Sequence, residues 1–446
     1  MTKVLMLGWE FPPYISGGLG TACYGLTRAM SQAGMEIVFV LPKPVQSAYS
    51  SHVKLASPII TKDQSFQEAI PYSVSEDVWE NVSFKQINSF LQPYQTTETY
   101  HTQKSAVRTG TQPKSQVRVK EGHTPYQVDM SLSDNYGDNL YQEVHRYAQL
   151  AVAVAQNEAF DVIHAHDWMT YLAGMAVAQH CGKPLVVHIH STEYDRSGPC
   201  PNAFVYDVER LGMEAADHVI AVSQLTRKTV VDRYGIATDK ISVVYNAIDQ
   251  TPGFAPTDQT HNPKKEKTVL FLGRITMQKG PDYFLEAAKK VLEEMDTVRF
   301  VMAGSGDMTH GMIEKAAAMG IGHKVSFTGF LQGEDVNRAF RMADLFVMPS
   351  VSEPFGLVPL EALRNDVPVL ISKQSGVSEV LTHALKVDFW DTREMANKIL
   401  AVLTHPALHM TLRDHGHYEV KRFTWHDSAQ QCQDVYESVM SRAIAV

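Results

Sequence analysis

Short apolar runs rich in β-branched residues alternate with helical patterns along most of the chain, which leaves little room for any fold but a layered α/β one. Val4–Leu7, Ile37–Leu41, Val162–His164, Leu185–Ile189, Val219–Val222 and Ile241–Val244 form a first series. Runs that are apolar at consecutive positions predict strands buried on both faces, hence a parallel sheet covered by helices on either side. A second series follows in Val269–Leu272, Phe300–Met302, Val325–Phe327, Leu345–Met348 and Val369–Ile371, with helices expected over Tyr283–Glu294 and Gly356–Arg364. The chain therefore reads as two doubly wound Rossmann-like domains in series.

The two series part at QTPGFAPTDQTHNPKKEK, residues 250–267, where proline, glycine and polar residues replace the apolar runs. This predicts a first domain over 1–249, a linker over 250–267 and a second domain over 268–423, with the site in the cleft between them. The region from about Val45 to Ser133 is rich in Gln, Ser and Thr and reads as an insertion in the first domain, partly strand. In residues 424–446, Trp425, Ala429, Cys432, Val435, Tyr436 and Val439 recur at helical spacing, an amphipathic helix with Thr424 or Asp427 as cap.

A length of 446 residues, 44% hydrophobic and 20% charged, suits two or more domains, each with its own core. The net charge of -9 argues against a nucleic-acid partner held by broad phosphate neutralisation. Cys23, Cys181, Cys200 and Cys432 are scattered without a Cys-X-X-Cys pair, so reduced thiols and a cytoplasmic setting are expected. The opening run Val4–Trp9 is cut off by Glu10 and two prolines, too early for a signal-peptide core or a membrane span.

In an open parallel sheet, ligands bind beyond the carboxyl ends of the strands. Two His-X-His pairs, in DVIHAHDW and LVVHIHST, stand near such ends. Metal ligation is one reading. Against it, the helical spacing of metalloprotease ligands and any thiolate partner are missing from the local sequence. His164 and His188 read as core residues, His190 and Asp167 as a functional edge, and His166 stays open between the two. After the first strand, Gly17, Gly18 and Gly20 precede a helix start near Leu19, where close backbone approach and free N–H groups suit an anion. The Gly-X-Gly-X-X-Gly fingerprint is absent, so NAD is not favoured.

In the second series, LFLGRITMQKG places Arg274 just after a strand and Lys279 before a helix, two cations suited to a diphosphate. In SVSEPFGLVPLEAL, Glu353 follows a strand, Gly356 opens the next helix and Glu361 lies about one turn inside it. Amides near Gly356 and Leu357 suit phosphate, and the two carboxylates suit sugar hydroxyls.

With Glu353 and Glu361 in SEPFGLVPLEAL, GRITMQKG and SGGLG, the chain resembles the retaining nucleotide-sugar glycosyltransferases of family four, which have the two-domain GT-B fold. YGDN at Tyr136–Asn139, HAHDW at His164–Trp168 and the Asn-X-Ile-Asp of Asn246–Asp249 point within that family towards glycogen and starch synthases. The resemblance implies that Gly17 and Gly18 lie against the donor diphosphate and that Arg274 and Lys279 neutralise it as it departs. It gives Glu361 to the ribose hydroxyls and Glu353 to the transferred sugar, with the amides of Phe355, Gly356 and Leu357 around sugar and phosphate. His190 would stand beside the anomeric centre, Asp167 would face sugar or acceptor, and Asn246 would belong to the donor site. It also implies a final helix that crosses back to the first domain.

No Asp-X-Asp occurs, which agrees with transfer that uses no metal and no cofactor. The partners expected are an ADP- or UDP-sugar donor and an oligo- or polysaccharide acceptor. Three activities remain in view: α-glucan extension from a glucose donor, hexosyl transfer to a lipid-linked or small acceptor, and glucan binding without turnover. A glycosidase carboxylate pair is set aside, because one carboxylate lies on a helix beside phosphate-binding features.

Overall fold

A computed structural model describes residues 1–11, 18–42, 81–86, 138–249 and 266–444. The predicted insertion and linker fall outside these residues, apart from 81–86 and 266–267; so do Gly17 and Tyr136.

The first sheet has seven parallel strands among the described residues: β1 (Lys3–Leu7), β2 (Glu36–Leu41), β3 (Val82–Gln86), β4 (Val162–His166), β5 (Leu185–Ile189), β6 (His218–Ala221) and β7 (Ile241–Val243). Their order is β3-β2-β1-β4-β5-β6-β7. The second has β8 (Lys267–Leu272), β9 (Val298–Ala303), β10 (Val325–Gly329), β11 (Leu345–Met348), β12 (Val369–Ser372) and β13 (Leu385–Val387), in the order β10-β9-β8-β11-β12-β13. In both, the order reverses beside the first strand, so β1 and β4, and likewise β8 and β11, flank a switch point where the chain leaves on opposite sides and a crevice opens.

The consecutive apolar runs are buried on both faces. Leu5 and Leu7 pack with Ile163, Val187 and the helices Asp138–Ala155 and Trp168–Cys181. Val4 and Met6 face the other way, towards helix Gly18–Gln32 and the terminal helix Trp425–Ile444. Of the two expected residues, Thr424 caps that last helix and Asp427 lies in its first turn. The Thr424 hydroxyl accepts from the Asp427 amide at 3.2 Å and donates to the Asp427 carboxylate at 2.6 Å.

The Trp425 indole lies so close to Gly25 that a Cβ there would stand 2.1 Å from the ring. Only glycine lets the two helices approach this far. Burial of Trp425, Cys432, Tyr436 and Val439 against Leu19, Cys23 and Leu26 fastens the end of the chain to the first sheet's layer, each large side chain contributing about 1.5–3 kcal/mol.

Among the boundaries that differ from expectation, two bear on the linker and the site. Lys267, assigned to the linker, already pairs with Val298 in the second sheet. The helix expected to open at Gly356 begins at Val358, because Gly356 has φ 104°, a conformation incompatible with a right-handed turn.

Candidate active site

The second sheet's switch point is built from the loops that follow β8 and β11. Gly280 has φ 66°, and a Cβ on it would lie 2.1 Å from the Pro349 carbonyl oxygen. The Val351 amide donates to the Gln278 carbonyl at 2.9 Å, and between these two contacts the Lys279 ammonium meets the Glu353 carboxylate in a half-buried ion pair. Glu353 also accepts from the Ser350 hydroxyl at 3.3 Å. Its backbone is held as an isolated parallel bridge to Ser375. Arg274 stands one residue past Gly273 and donates to Gln278 at 3.4 Å.

Beyond Glu353 the chain passes through Phe355, Gly356 and Leu357. Among the described residues, none of these three amides donates to a protein acceptor. The Phe355 ring is buried and its carbonyl accepts from Val377, so the loop is held from behind while its N–H groups stay free for an acceptor. Glu361 follows in the first turn of helix Val358–Arg364. Desolvation raises its carboxyl pKa above the usual value, and Arg364 partly offsets that.

Gly18, the first residue of its helix, faces this loop from the other domain: a Cβ on it would lie 3.9 Å from Leu357. The expected glycine approach and the expected anion-binding loop are thus opposite one another. Asn246 is buried on the segment that follows β7, beside Tyr245, whose ring lies 6.1 Å from that of Phe355. Asp249 pairs with Arg28 at 3.1 Å, and its carbonyl accepts from Arg364 at 3.1 Å.

On the first domain, Asp167 stands at the exit of β4 with φ 58°, unusual for a residue with a side chain. Its Oδ1 accepts from the amides of His190 at 2.7 Å and Ser191 at 3.3 Å, so the carboxylate fixes the backbone at the exit of β5. Burial raises its pKa to about 6.

The four histidines form one lattice. His164 and His188 share a hydrogen bond at 3.2 Å, His166 and His190 one at 2.9 Å, and His164 meets the Tyr436 hydroxyl of the terminal helix. Rings within each His-X-His pair stack at 4.3 Å. His166, open in the sequence, is fully buried; His190 alone is partly exposed. Desolvation lowers the pKa of all four, to about 3 for His164 and His190. Imidazoles so buried are neutral. The structure corrects one expectation here: a thiol does stand beside them, since the ligand atoms of Cys23, His166 and His190 lie within 4.8 Å of one another.

Several contacts across the cleft have no counterpart in the motifs. The Ser352 hydroxyl donates to Asp195 at 2.5 Å, and the hydroxyls of Ser223 and Thr226 donate to the Pro354 carbonyl at 2.6 and 3.3 Å. Glu379 of the second domain accepts from the amides of Gln224 and Leu225 at 2.9 and 2.6 Å. One signal was available: Thr192 and Asp195 form a capping box, a Thr-X-X-Asp spacing legible in HSTEYDR.

Two family models match the chain, that of glycosyltransferase family 4 over residues 108–251 and that of the group 1 glycosyl transferases over residues 256–417. An uncharacterized glycosyltransferase of Methanocaldococcus jannaschii is 26% identical over 98% of either chain. The glycogen synthase of Mycobacterium tuberculosis is 25% identical over 91% of this chain and 87% of that protein. Among solved structures, the sucrose-phosphate synthase of Thermosynechococcus elongatus superimposes with a TM-score of 0.71 at 18% identity, over 99% of this chain and 100% of that one. With matches on both sides of the cleft and the two switch-point sheets in place, the chain belongs to the family-four glycosyltransferases of GT-B fold.

Proposed function

We propose that this glycosyltransferase moves a glucosyl unit from ADP- or UDP-glucose to an α-glucan, with retention at the anomeric carbon and without a bound metal or cofactor. The observation that carries this reading is the convergence of Lys279, Glu353 and the free amides of Phe355, Gly356 and Leu357 opposite Gly18. Those groups suit a sugar diphosphate lying across the second sheet's switch point, with Lys279 and Arg274 on the diphosphate, Glu361 on the ribose and Glu353 on the hexose.

As the bond from C1 to the diphosphate oxygen breaks, its electron pair goes to that oxygen. Cations and amides already in place lower the barrier, because they need no reorganisation as negative charge grows. The acceptor hydroxyl enters on the face that the leaving group vacates and gives its proton to the departing phosphate. Neutral His190 at the exit of β5 and the Asp167-held backbone beside it border the sugar from the first domain. Support for an α-glucan acceptor comes from the glycogen synthase relative, which aligns over 91% of the chain.

The test is product analysis after incubation with ADP-glucose and UDP-glucose in parallel, each with glycogen and with short maltooligosaccharides. Elongated α-glucan with release of the matching nucleoside diphosphate is expected. Failure to elongate with either donor, while another acceptor is glycosylated, would overturn the glucan assignment and leave the donor site standing.

A further inference from the structure

We propose that Cys23, His166 and His190 form a binding site for a soft divalent cation of the zinc class, and that filling it takes His190 away from the sugar. Cys23 comes from helix Gly18–Gln32, His166 from the end of β4 and His190 from just past β5. Three elements therefore bring one thiol and two imidazoles together with their ligand atoms within 4.8 Å, close enough for one ion to reach all three.

The inner nitrogens of the two rings, His166 Nδ1 and His190 Nε2, share one hydrogen bond at 2.9 Å, and an ion that enters beside the Cys23 thiol takes its place. His166 Nε2 and His190 Nδ1 face away from one another, are buried, and among the described residues have no hydrogen-bond partner, so no protein contact competes for the ring protons that ligation through the inner nitrogens places there. Both rings are neutral, the form that ligates. The negative charges of Glu10 and Asp167 also bear on the Cys23 thiol; in a buried site they offset the cost of placing a dication there.

A competing trio, His164, His166 and His188, has comparable spacing. Both of His164's ring nitrogens are already engaged, by Tyr436 and His188, and all three rings are fully buried. The Cys23 trio instead includes partly exposed His190 at the cleft, which gives an ion a way in, and a thiolate, which favours zinc over magnesium or calcium. As the ion enters, the Cys23 thiol gives its proton to solvent, so uptake releases one proton per ion from this residue. Three protein ligands leave a fourth position open to water. With His190 bound to the ion, glycosyl transfer stops: the site is inhibitory, and the reaction itself uses no metal.

The test uses the full chain, freed of metal by a chelator and titrated with Co2+ and then with Zn2+. One ion per chain is expected, with a thiolate-to-Co2+ charge-transfer band. That band should vanish in Cys23→Ser and Cys23→Ala, with binding weakened by more than roughly tenfold. Donor turnover should fall on adding Zn2+ and return with chelator, whereas both Cys23 variants keep basal turnover and resist Zn2+. The two substitutions, with thermal melts of each, separate loss of the ligand from loss of the fold. No charge-transfer band in the unaltered chain, or Co2+ bound equally well by the Cys23 variants, overturns the proposal, as does binding lost in His164→Asn but kept in Cys23→Ser. The Co2+ spectrum is read without any glycosyl acceptor, so a wrong choice of sugar or glucan does not affect it.

Discussion

Lys279 and Glu353, 74 positions apart in sequence, pair where β8 and β11 run side by side. The ion pair holds a cation and a carboxylate in fixed relation before any donor is present. On the proposed reading, an arriving diphosphate competes with Glu353 for the ammonium and releases the carboxylate towards the hexose hydroxyls. Lys279→Ala removes charge that counts most as the diphosphate departs, so kcat/KM is expected to drop by roughly 10²–10³-fold, with kcat carrying most of the loss. Initial rates of nucleoside diphosphate release at varied donor concentration decide it. A change under about threefold, less than 1 kcal/mol, would remove Lys279 from the leaving-group site.

Gly280 sets the distance between the two loops. Replacing it with alanine would put a Cβ 2.1 Å from a backbone oxygen in a residue with φ 66°, which only a shift of the whole Met277–Gly280 turn relieves. A loss of stability beyond about 1–3 kcal/mol is expected for Gly280→Ala, together with a higher donor KM because Lys279 moves with the turn. Denaturant midpoints and donor KM measured on one preparation check both parts. An unchanged KM in a folded variant would show that the turn does not position the lysine.

Much of this architecture was legible because the strands are continuous apolar runs: β11 matches its expected limits, and Arg274, Lys279 and Glu353 stand at strand exits as their sequence positions imply. What escaped depends on partners distant in sequence. Nothing local marks Ser352 as the partner of Asp195, 157 positions away, or places Cys23 beside the second member of each His-X-His pair. β13 has no apolar run to announce it, since its three residues include Lys386. The helix after Glu353 was started two residues early because glycine at a helix N-terminus and glycine at positive φ look the same in sequence.

The Ser352 hydroxyl on Asp195 ties the donor loop to the first domain one residue from Glu353. A hydrogen bond to a buried carboxylate contributes about 1.5–3 kcal/mol, and here part of that free energy favours the closed cleft. Ser352→Ala is expected to raise donor KM about tenfold while leaving thermal stability nearly unchanged, since each domain keeps its own core. Steady-state kinetics beside a thermal melt distinguish this from a folding defect. Equal losses in kcat/KM and melting temperature would make the contact structural only.

Glu361 gives a pH dependence with a definite sign. Burial raises its pKa above the ordinary 4.5, so the free protein keeps this proton at pH values where an exposed glutamate has lost it. By linkage, its contribution to stability without donor is present below the ordinary value and is lost as pH rises through the raised one. With the proposed ribose contact, donor binding runs the other way, because ribose hydroxyls donate best to the ionised carboxylate and binding would expel the proton. Affinity for ADP or UDP is expected to weaken as pH falls through a window above the usual carboxylate range, with proton release on binding inside it. Glu361→Gln should bind more weakly throughout and lose that part of the pH dependence. Calorimetric titrations in two buffers of different ionisation enthalpy read both quantities. If the unaltered protein and Glu361→Gln show parallel pH profiles, the titrating group lies elsewhere and the ribose assignment fails.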